Sequence, residues 1–365
     1  MNPPEITGVS VLPEAHFACQ GTGMCCQGYQ FGPIADDVAA RILAHPFQEN
    51  AAKLAAAGGP FTTAEIHGEP VRVLSRIDGR CVFLGDDGLC VVHKELGADA
   101  KPALCRLYPL NVAVAPDGVA YVSLNMECGG YARGRQGPPL VEAVAEHLDL
   151  IGSLPTLAVA AQVQITREAT RAYADVFEAF EAPALEDLDA QRPPLALVAD
   201  LCARLLGEGP HAAAWANWPD RLPAALTRLA GRVAWRARNV ARDEAAAGDP
   251  VDAGLNRAVA ALAEAATHTP QRQPLPAEGA AILREPLPQV VFGKALHKAP
   301  SLAAALGFEA ARIWLLHTGP PLADAEALVR RLRALNRVMR PSDLVGVGPD
   351  FADRCEALCE ALAAR

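Results

Sequence analysis

The spacing of apolar residues changes along the chain, and its first part mixes helical with extended patterns. Residues 36–57 have the periodicity of a helix, or of two short helices, with Pro46 expected to break it. Residues 69–92 instead alternate apolar and polar positions, and the sequence GDDG at 85–88 predicts a hairpin turn that leads into LCVVH. This stretch is therefore predicted to be a small β element.

A second hairpin is predicted after a short helical segment. The sequence KPALCRLYP at 101–109 is typical of one or two helical turns, because a proline stands near its start and another just beyond its end. Residues 110–126 then alternate again on both sides of a Pro-Asp-Gly turn at 116–118. Both predicted hairpins carry cysteines at or near their ends.

Beyond residue 137 the apolar positions recur with a helical period, interrupted by a proline-rich loop expected at 269–289. The predicted helical stretches are 140–152, 166–182, 194–207, 220–246, 253–266, 290–318, 321–340 and 350–364. The sequence thus predicts an α+β protein. A small cysteine-rich metal-binding module with short β-hairpins is expected over residues 1–137, followed by an all-α helical domain over residues 138–365.

Composition narrows the possible functions. Of the 365 residues 51% are hydrophobic, many of them alanine, and only 5% are aromatic, which suits a closely packed helical body. The net charge of −9 argues against a nucleic-acid partner, which would require a surplus of Lys and Arg. No apolar run approaches the roughly 18 residues of a membrane span. The first residues have no signal-peptide pattern, so a cytoplasmic location is expected.

Cysteines cluster in the first part of the chain. Seven of the ten lie in the predicted module: Cys19, Cys25, Cys26, Cys81, Cys90, Cys105 and Cys128. Cytosolic thiols stay reduced, so this clustering favours metal ligands over a disulfide framework. A zinc ion or an iron-sulfur cluster needs four ligands that converge from several segments, and turns and hairpin ends can provide them. The alternative is that some of the seven are ordinary buried thiols.

The ligand assignment stays open at this point. Seven thiolates exceed one site, and two adjacent cysteines such as Cys25 and Cys26 rarely both bind one metal without bridging. His93 is a further candidate, since Cys90-x2-His93 has zinc-knuckle spacing. Outside the module, Cys355 and Cys359 lie one turn apart on the last predicted helix and are expected to be packed thiols.

The cysteine pattern resembles the YkgJ-type, or CxxCxxCC, family of zinc- or iron-chelating proteins, which includes flagellin lysine N-methylases. The resemblance covers about residues 17–130, and CVFLGDDGLCVVHKELGADAKPALCRLYP at 81–109 is its most specific part. The sequence SLNMEC at 123–128 is similar to a later segment of the methylase branch. Two positions depart from the family: Thr22 replaces the second cysteine of the first motif, and His93 stands where an aromatic residue is usual.

Two functions from different classes follow. The resemblance to the methylase branch implies a 4Fe-4S cluster, S-adenosylmethionine as methyl donor, and a protein substrate with flagellin-like lysines. The catalytic residues are not identified by the sequence. The alternative is a non-catalytic zinc- or iron-binding scaffold in which the metal stabilises a surface for a partner. Metal content distinguishes the two, because iron and sulfide favour the enzyme and zinc favours the scaffold.

Overall fold

The fold is taken from a computed structural model of the chain. It describes residues 5–12, 15–19, 21–27, 29–66, 68–125, 127–128, 137–151, 156–187, 192–207, 222–246, 249–268, 275–284, 286–318, 321–339 and 350–363. The module boundary expected near residue 137 therefore lies beside 129–136, which are outside the described residues. The protein is a mixture of helices and small sheets, in agreement with the predicted α+β class.

The first two helices lie on either side of the predicted break at Pro46. Helix α1 (Asp36–Leu43) begins with two aspartates, whose negative charges are favourable at the positive end of the helix dipole. Helix α2 (Ala51–Ala56) follows the break at Pro46. A hairpin comes next, formed by β2 (Phe61–Ile66) and β3 (Glu69–Leu74). Of the two possibilities predicted for 36–57, one helix or two short helices, the structure has two short helices.

The prediction that the GDDG turn is followed by a second strand is wrong. Strands β4 (Arg76–Ile77) and β5 (Arg80–Cys81) form a short antiparallel pair, but LCVVH begins helix α3 (Val91–Leu96) instead of a strand. The consecutive residues Val91 and Val92 are both buried, which a helix allows and an alternating strand does not.

The central sheet contains the hairpin predicted at 110–126. After α4 (Ala103–Leu107), strands β6 (Leu110–Val114) and β7 (Val119–Leu124) pair antiparallel, as expected. Strand β1 (Gly8–Val11) adds parallel to β7, and β8 (Leu157–Ala158) adds parallel to β6, so the strand order is β1-β7-β6-β8. Strand β8 comes from beyond residue 137, so this sheet draws on both predicted parts of the chain.

The second part is largely helical but not all-α. Besides β8, it contains the antiparallel pair β9 (Gln162–Thr166) and β10 (Ala169–Ala172), and β10 falls inside the helix predicted over 166–182. Only Val163 and Ile165 of β9 are buried, and this period-2 pattern suits a strand. Pairing with β9 thus draws the following residues into a hairpin. The stretch predicted as a proline-rich loop also contains a helix, Gly279–Arg284, and the start of another, Pro286–Phe292. Its residues 269–274 lie outside the described ones.

Most helices of the second part surround one large core, whereas the first two pack in a smaller one. The helices are α5 (Leu140–Ala145), α6 (Leu148–Ile151), α7 (Tyr173–Val176), α8 (Ala182–Asp187), α9 (Pro194–Leu206), α10 (Leu222–Ala246), α11 (Pro250–His268), α12 (Gly279–Arg284), α13 (Pro286–Phe292), α14 (Leu302–Thr318), α15 (Ala325–Val338) and α16 (Phe351–Ala363). A π-helical segment, Phe177–Glu181, joins α7 to α8. None of the described helices has both the length and the apolar composition needed to cross a bilayer.

Three hydrophobic cores divide the structure. Alternate residues of the central sheet face two of them, so Val112 and Val122 pack in a small core with α5, while Ala113 and Tyr121 join the large helical core. The third core lies under α1 and α3 and includes Ile42 and other apolar side chains. This third core carries most of the module's cysteines and is called the thiol core below.

Candidate metal centre

Five cysteines meet in the thiol core although they come from four separate segments. This thiol cluster consists of Cys25, Cys26, Cys81, Cys90 and Cys105. Cys25 and Cys26 lie on a single 3-10 turn, Cys81 ends β5, Cys90 immediately precedes α3, and Cys105 lies in α4. Short segments that converge in this way can supply the several directions that a metal centre requires.

Close glycine contacts hold two of these segments together. Gly23 has φ 64° and Gly88 has φ 80°, backbone conformations that side chains rarely adopt. A β-carbon at Gly88 would lie 2.7 Å from the carbonyl oxygen of Gly21, and one at Gly23 would lie 2.9 Å from Leu84. The loop that carries Cys25 and Cys26 therefore packs directly against the turn between Cys81 and Cys90.

The thiols of the cluster contact one another. The Sγ atoms of Cys25 and Cys26 are 3.9 Å apart, and the hydrogen bond with Cys26, together with burial, raises the pKa of Cys25. The hydrogen bond with Cys25 acts in the opposite direction on Cys26, but a bond with Cys81 and burial outweigh it and raise the pKa of Cys26. Burial likewise raises the pKa of Cys90 and Cys105. These four sulfurs therefore favour the protonated form unless a cation compensates the thiolate charge.

One lysine faces the cluster. The positive charge of Lys101 opposes the effect of burial and lowers the pKa of Cys25, Cys90 and Cys105. A centre with four thiolates around a metal is negatively charged, and a nearby ammonium group stabilises such a charge. Lys101 precedes α4, so the segment that supplies Cys105 also supplies this counter-charge.

Within the thiol cluster, the sulfurs of Cys25 and Cys26 are at the spacing of ligands to one zinc ion, but no three of the described sulfurs share that spacing. Four sulfurs around one zinc ion lie about 3.8 Å apart, given Zn–S bonds of about 2.3 Å. Within the described part of the chain, only the carboxylates of Glu244, Asp249 and Asp252 form a set of three or more candidate ligands that all lie within 4.8 Å of one another. A pair of these thiols, but no set of three, is therefore at the spacing of ligands to one ion.

The other candidate ligands from the sequence do not belong to the thiol cluster. Cys19 is exposed, and Cys128 is buried in the small core beside Tyr108 instead of in the thiol core. His93 has an exposed side chain, and its backbone N–H, not its imidazole, bonds the sulfur of Cys90. Cys202, Cys355 and Cys359 are fully buried in the large helical core, as expected for the last two.

A groove of about 890 Å³ opens beside the thiol cluster. Cys81 lines it together with the β4–β5 turn and the start of α11, so both predicted parts of the chain contribute. Lys53 is fixed there by hydrogen bonds of 2.9 Å to the carbonyl of Leu84 and to Asp86. Asp78 and Arg80 lie at the tight turn itself. No sequence pattern indicated this groove, because its walls are distant along the chain.

Charged contacts bind the module to the helical part near this groove. Arg76 of the module forms an ion pair of 2.9 Å with Asp249 of the helical part, and within the helical part Arg337 pairs with Asp252 at 2.7 Å. Burial and these two aspartates raise the pKa of neighbouring Glu244. Because the two aspartates already have arginine partners, we assign no cation to this acidic set.

Arg337 also reaches the segment next to Cys128. Its guanidinium lies 4.4 Å from the ring centre of Tyr29 and 3.6 Å from the carboxylate of Glu127, which accepts a hydrogen bond from the Tyr29 hydroxyl. These contacts fix the loops of the module against α15.

Comparisons of the chain with protein-family models, with curated proteins and with solved structures gave no match.

Proposed function

We propose that this protein binds an iron-sulfur cluster of the 4Fe-4S type through four of the five clustered thiols. The observation that carries the proposal is the convergence of Cys25, Cys26, Cys81, Cys90 and Cys105 in one core. No three of these described sulfurs all lie within 4.8 Å of one another, and a cluster is a larger centre that thiolates hold. Lys101 supplies a positive charge beside the resulting negative centre.

We further propose that the protein transfers a methyl group from S-adenosylmethionine to lysine side chains of a protein. This activity rests on the resemblance of residues 17–130 to the flagellin lysine N-methylase branch. The groove beside Cys81 supports it, because Arg80 suits the carboxylate of the methyl donor and Asp78 suits an amine or ammonium group. When bound, the cluster would supply a redox-active iron centre next to this groove.

The transfer requires a neutral lysine amine. The amine nitrogen forms a bond to the methyl carbon, the donor's S–C bond breaks with its electron pair kept by sulfur, and one proton leaves the nitrogen. Asp78 is the groove carboxylate that we assign to receive this proton, since Asp86 is already paired with Lys53. Asp78 lies before the first cysteine of the 81–109 segment, so the cysteine pattern did not identify it.

The first experiment is purification without oxygen, followed by iron, sulfide and zinc analysis and by absorption spectroscopy. Iron and sulfide in similar amounts, with a brown protein, support the cluster. Stoichiometric zinc in a colourless protein overturns it and supports the scaffold alternative. Protein that binds neither after reconstitution overturns both.

The second experiment tests the methyl donor by calorimetric titration of S-adenosylmethionine into the metal-loaded full chain. We expect binding that Arg80→Ala weakens by about tenfold, as for loss of one charge-assisted hydrogen bond. Arg228→Ala, an exposed arginine of α10 outside the groove, should bind as the unmodified protein does. A cluster-bearing protein that does not bind the donor would overturn the activity but not the cluster.

A further inference from the structure

A buried ammonium group lies among aromatic rings far from the thiol cluster in sequence. Lys294 is fully buried, and its Nζ atom lies 4.0 Å from the ring centre of Tyr121, 4.9 Å from that of Phe177 and 5.4 Å from that of Tyr173. Its backbone is left-handed, with φ 57°. The three rings thus form an aromatic cage of the kind that stabilises cations.

The charge of this lysine is compensated within the cage. Glu181 pairs with Lys294 through one carboxylate oxygen and with Nε2 of His297 through the other, the latter at 2.6 Å. Glu181 and Phe177 are the two ends of the π-helical segment, a conformation that is rare and often occurs at functional sites. The internal pair therefore balances the positive charge of Lys294 beneath the rings.

A groove of about 410 Å³ is lined by two of the three cage residues. Tyr173 and Phe177 belong to both the cage and the groove wall, and the remaining polar side chains of the lining are the carboxylates of Asp117 and Glu178. Among the described residues, no lysine or arginine lines this groove. Its volume falls at the lower end of the range of pockets that hold small ligands or single side chains.

We propose that this groove is a second binding site, which takes the alkylammonium side chain of a lysine from a partner polypeptide. The two carboxylates supply the complementary charge, and the rings of Tyr173 and Phe177 pack against the methylene chain. The cage beneath shows that this ring cluster accommodates an ammonium group, namely that of Lys294. Glu181 makes the ion pair with Lys294, whereas Asp117 acts on that lysine only through its charge, and both Asp117 and Glu178 are exposed at the groove.

This site is separate from the metal centre. Asp117 lies at the turn of the β6–β7 hairpin, whereas Cys105 precedes the opposite end of β6. The five residues of β6 span roughly 17 Å at the usual rise of a strand. The proposal therefore stands whether or not the thiol cluster binds metal.

The test is an NMR titration of the full chain with Nα-acetyl-lysine methylamide, with the norleucine analogue as an uncharged probe of similar shape. We expect saturable binding of the lysine probe and about tenfold weaker binding of the norleucine probe. The double variant Asp117→Asn, Glu178→Gln should weaken the lysine probe by a similar factor. Asp117→Asn keeps a side-chain oxygen that can accept the hydrogen bond from the Val119 N–H, so the turn is preserved.

The matched control is Glu142→Gln with Glu146→Gln, which removes two exposed charges on or next to α5 without touching the groove. This control should bind the lysine probe unchanged. Equal binding of both probes, no loss in the groove variant, or no saturable binding of the lysine probe would each overturn the proposal. Circular dichroism of each variant shows whether any loss reflects unfolding.

Discussion

The carbonyl oxygen of Cys355 in α16 occupies the space that a β-carbon on Gly307 of α14 would need. The two helices therefore cross at a point where only glycine fits. Both residues lie in the large helical core, so the protein cannot relieve an added methyl group by moving it into solvent.

Gly307→Ala should consequently destabilise the protein, by about 1–3 kcal/mol or more, because one helix must shift to admit the methyl group. Gly231→Ala, in the middle of α10, is the matched control, since a β-carbon there would make an ordinary contact of 3.8 Å with Thr267 of α11. That substitution should be neutral or stabilise by up to about 1 kcal/mol through helix propensity. Urea denaturation measures both. Equal stability of the two variants would show that α14 and α16 do not cross at Gly307.

Single serine substitutions test the metal centre. Cys81→Ser, Cys90→Ser and Cys105→Ser should each weaken metal binding by more than the roughly 10–100-fold that follows loss of a residue merely hydrogen-bonded to a ligand. Cys19→Ser is the control, because Cys19 is exposed and outside the thiol core. Metal analysis after reconstitution provides the measurement. Full metal content in all three core variants would contradict the assignment.

Removal of the metal should destabilise the first part of the chain more than the helical part. The thiol core is small and its partly buried rim includes cysteines, so we expect it to lose order when a chelator removes the metal. Limited proteolysis of chelated protein should then cut mainly before residue 137, while the helical part resists. The metal-loaded protein, digested in parallel, is the control. Uniform cleavage along the chain would argue against two parts that depend differently on metal.

Acid should weaken the buried pair of Glu181 and Lys294. Burial opposes ionisation of Glu181, but the hydrogen bond from His297 and the charge of Lys294 outweigh it and hold its pKa below the ordinary value of 4.5. The unfolded chain thus binds a proton more readily than the folded one, so this stabilisation is complete above pH 4.5 and is lost as pH falls below it. The free energy of unfolding, followed by urea titration from neutral pH downward, should show this loss.

The double variant Glu181→Gln, Lys294→Met serves as the reference for that experiment, since it removes both charges together. Its stability should fall less steeply below pH 4.5 than that of the unmodified protein. Parallel curves for the two proteins would mean that Glu181 has the same pKa in the folded and unfolded chains.

Local sequence patterns predicted many elements correctly. The interrupted helix over 36–57, the hairpin formed by β6 and β7, and most long helices of the second part follow from periodicity and from proline or glycine punctuation. The pattern failed at LCVVH and at 169–172. In both places the short segment fits either structure, and packing against neighbouring segments decides between them.

The amino-acid sequence alone shows that the cysteines are concentrated near the start of the chain, and it predicts that they lie on turns and short elements. Which of these cysteines meet depends on the folded chain. Cys25 and Cys26 lie near Cys81 because close glycine contacts pack their loops together. Cys128, which comes just after the central sheet, packs in the small core instead. The cage around Lys294 likewise joins distant segments. Periodicity reports the neighbours of a residue along the chain, but a site depends on contacts between segments, which arise only when the cores pack.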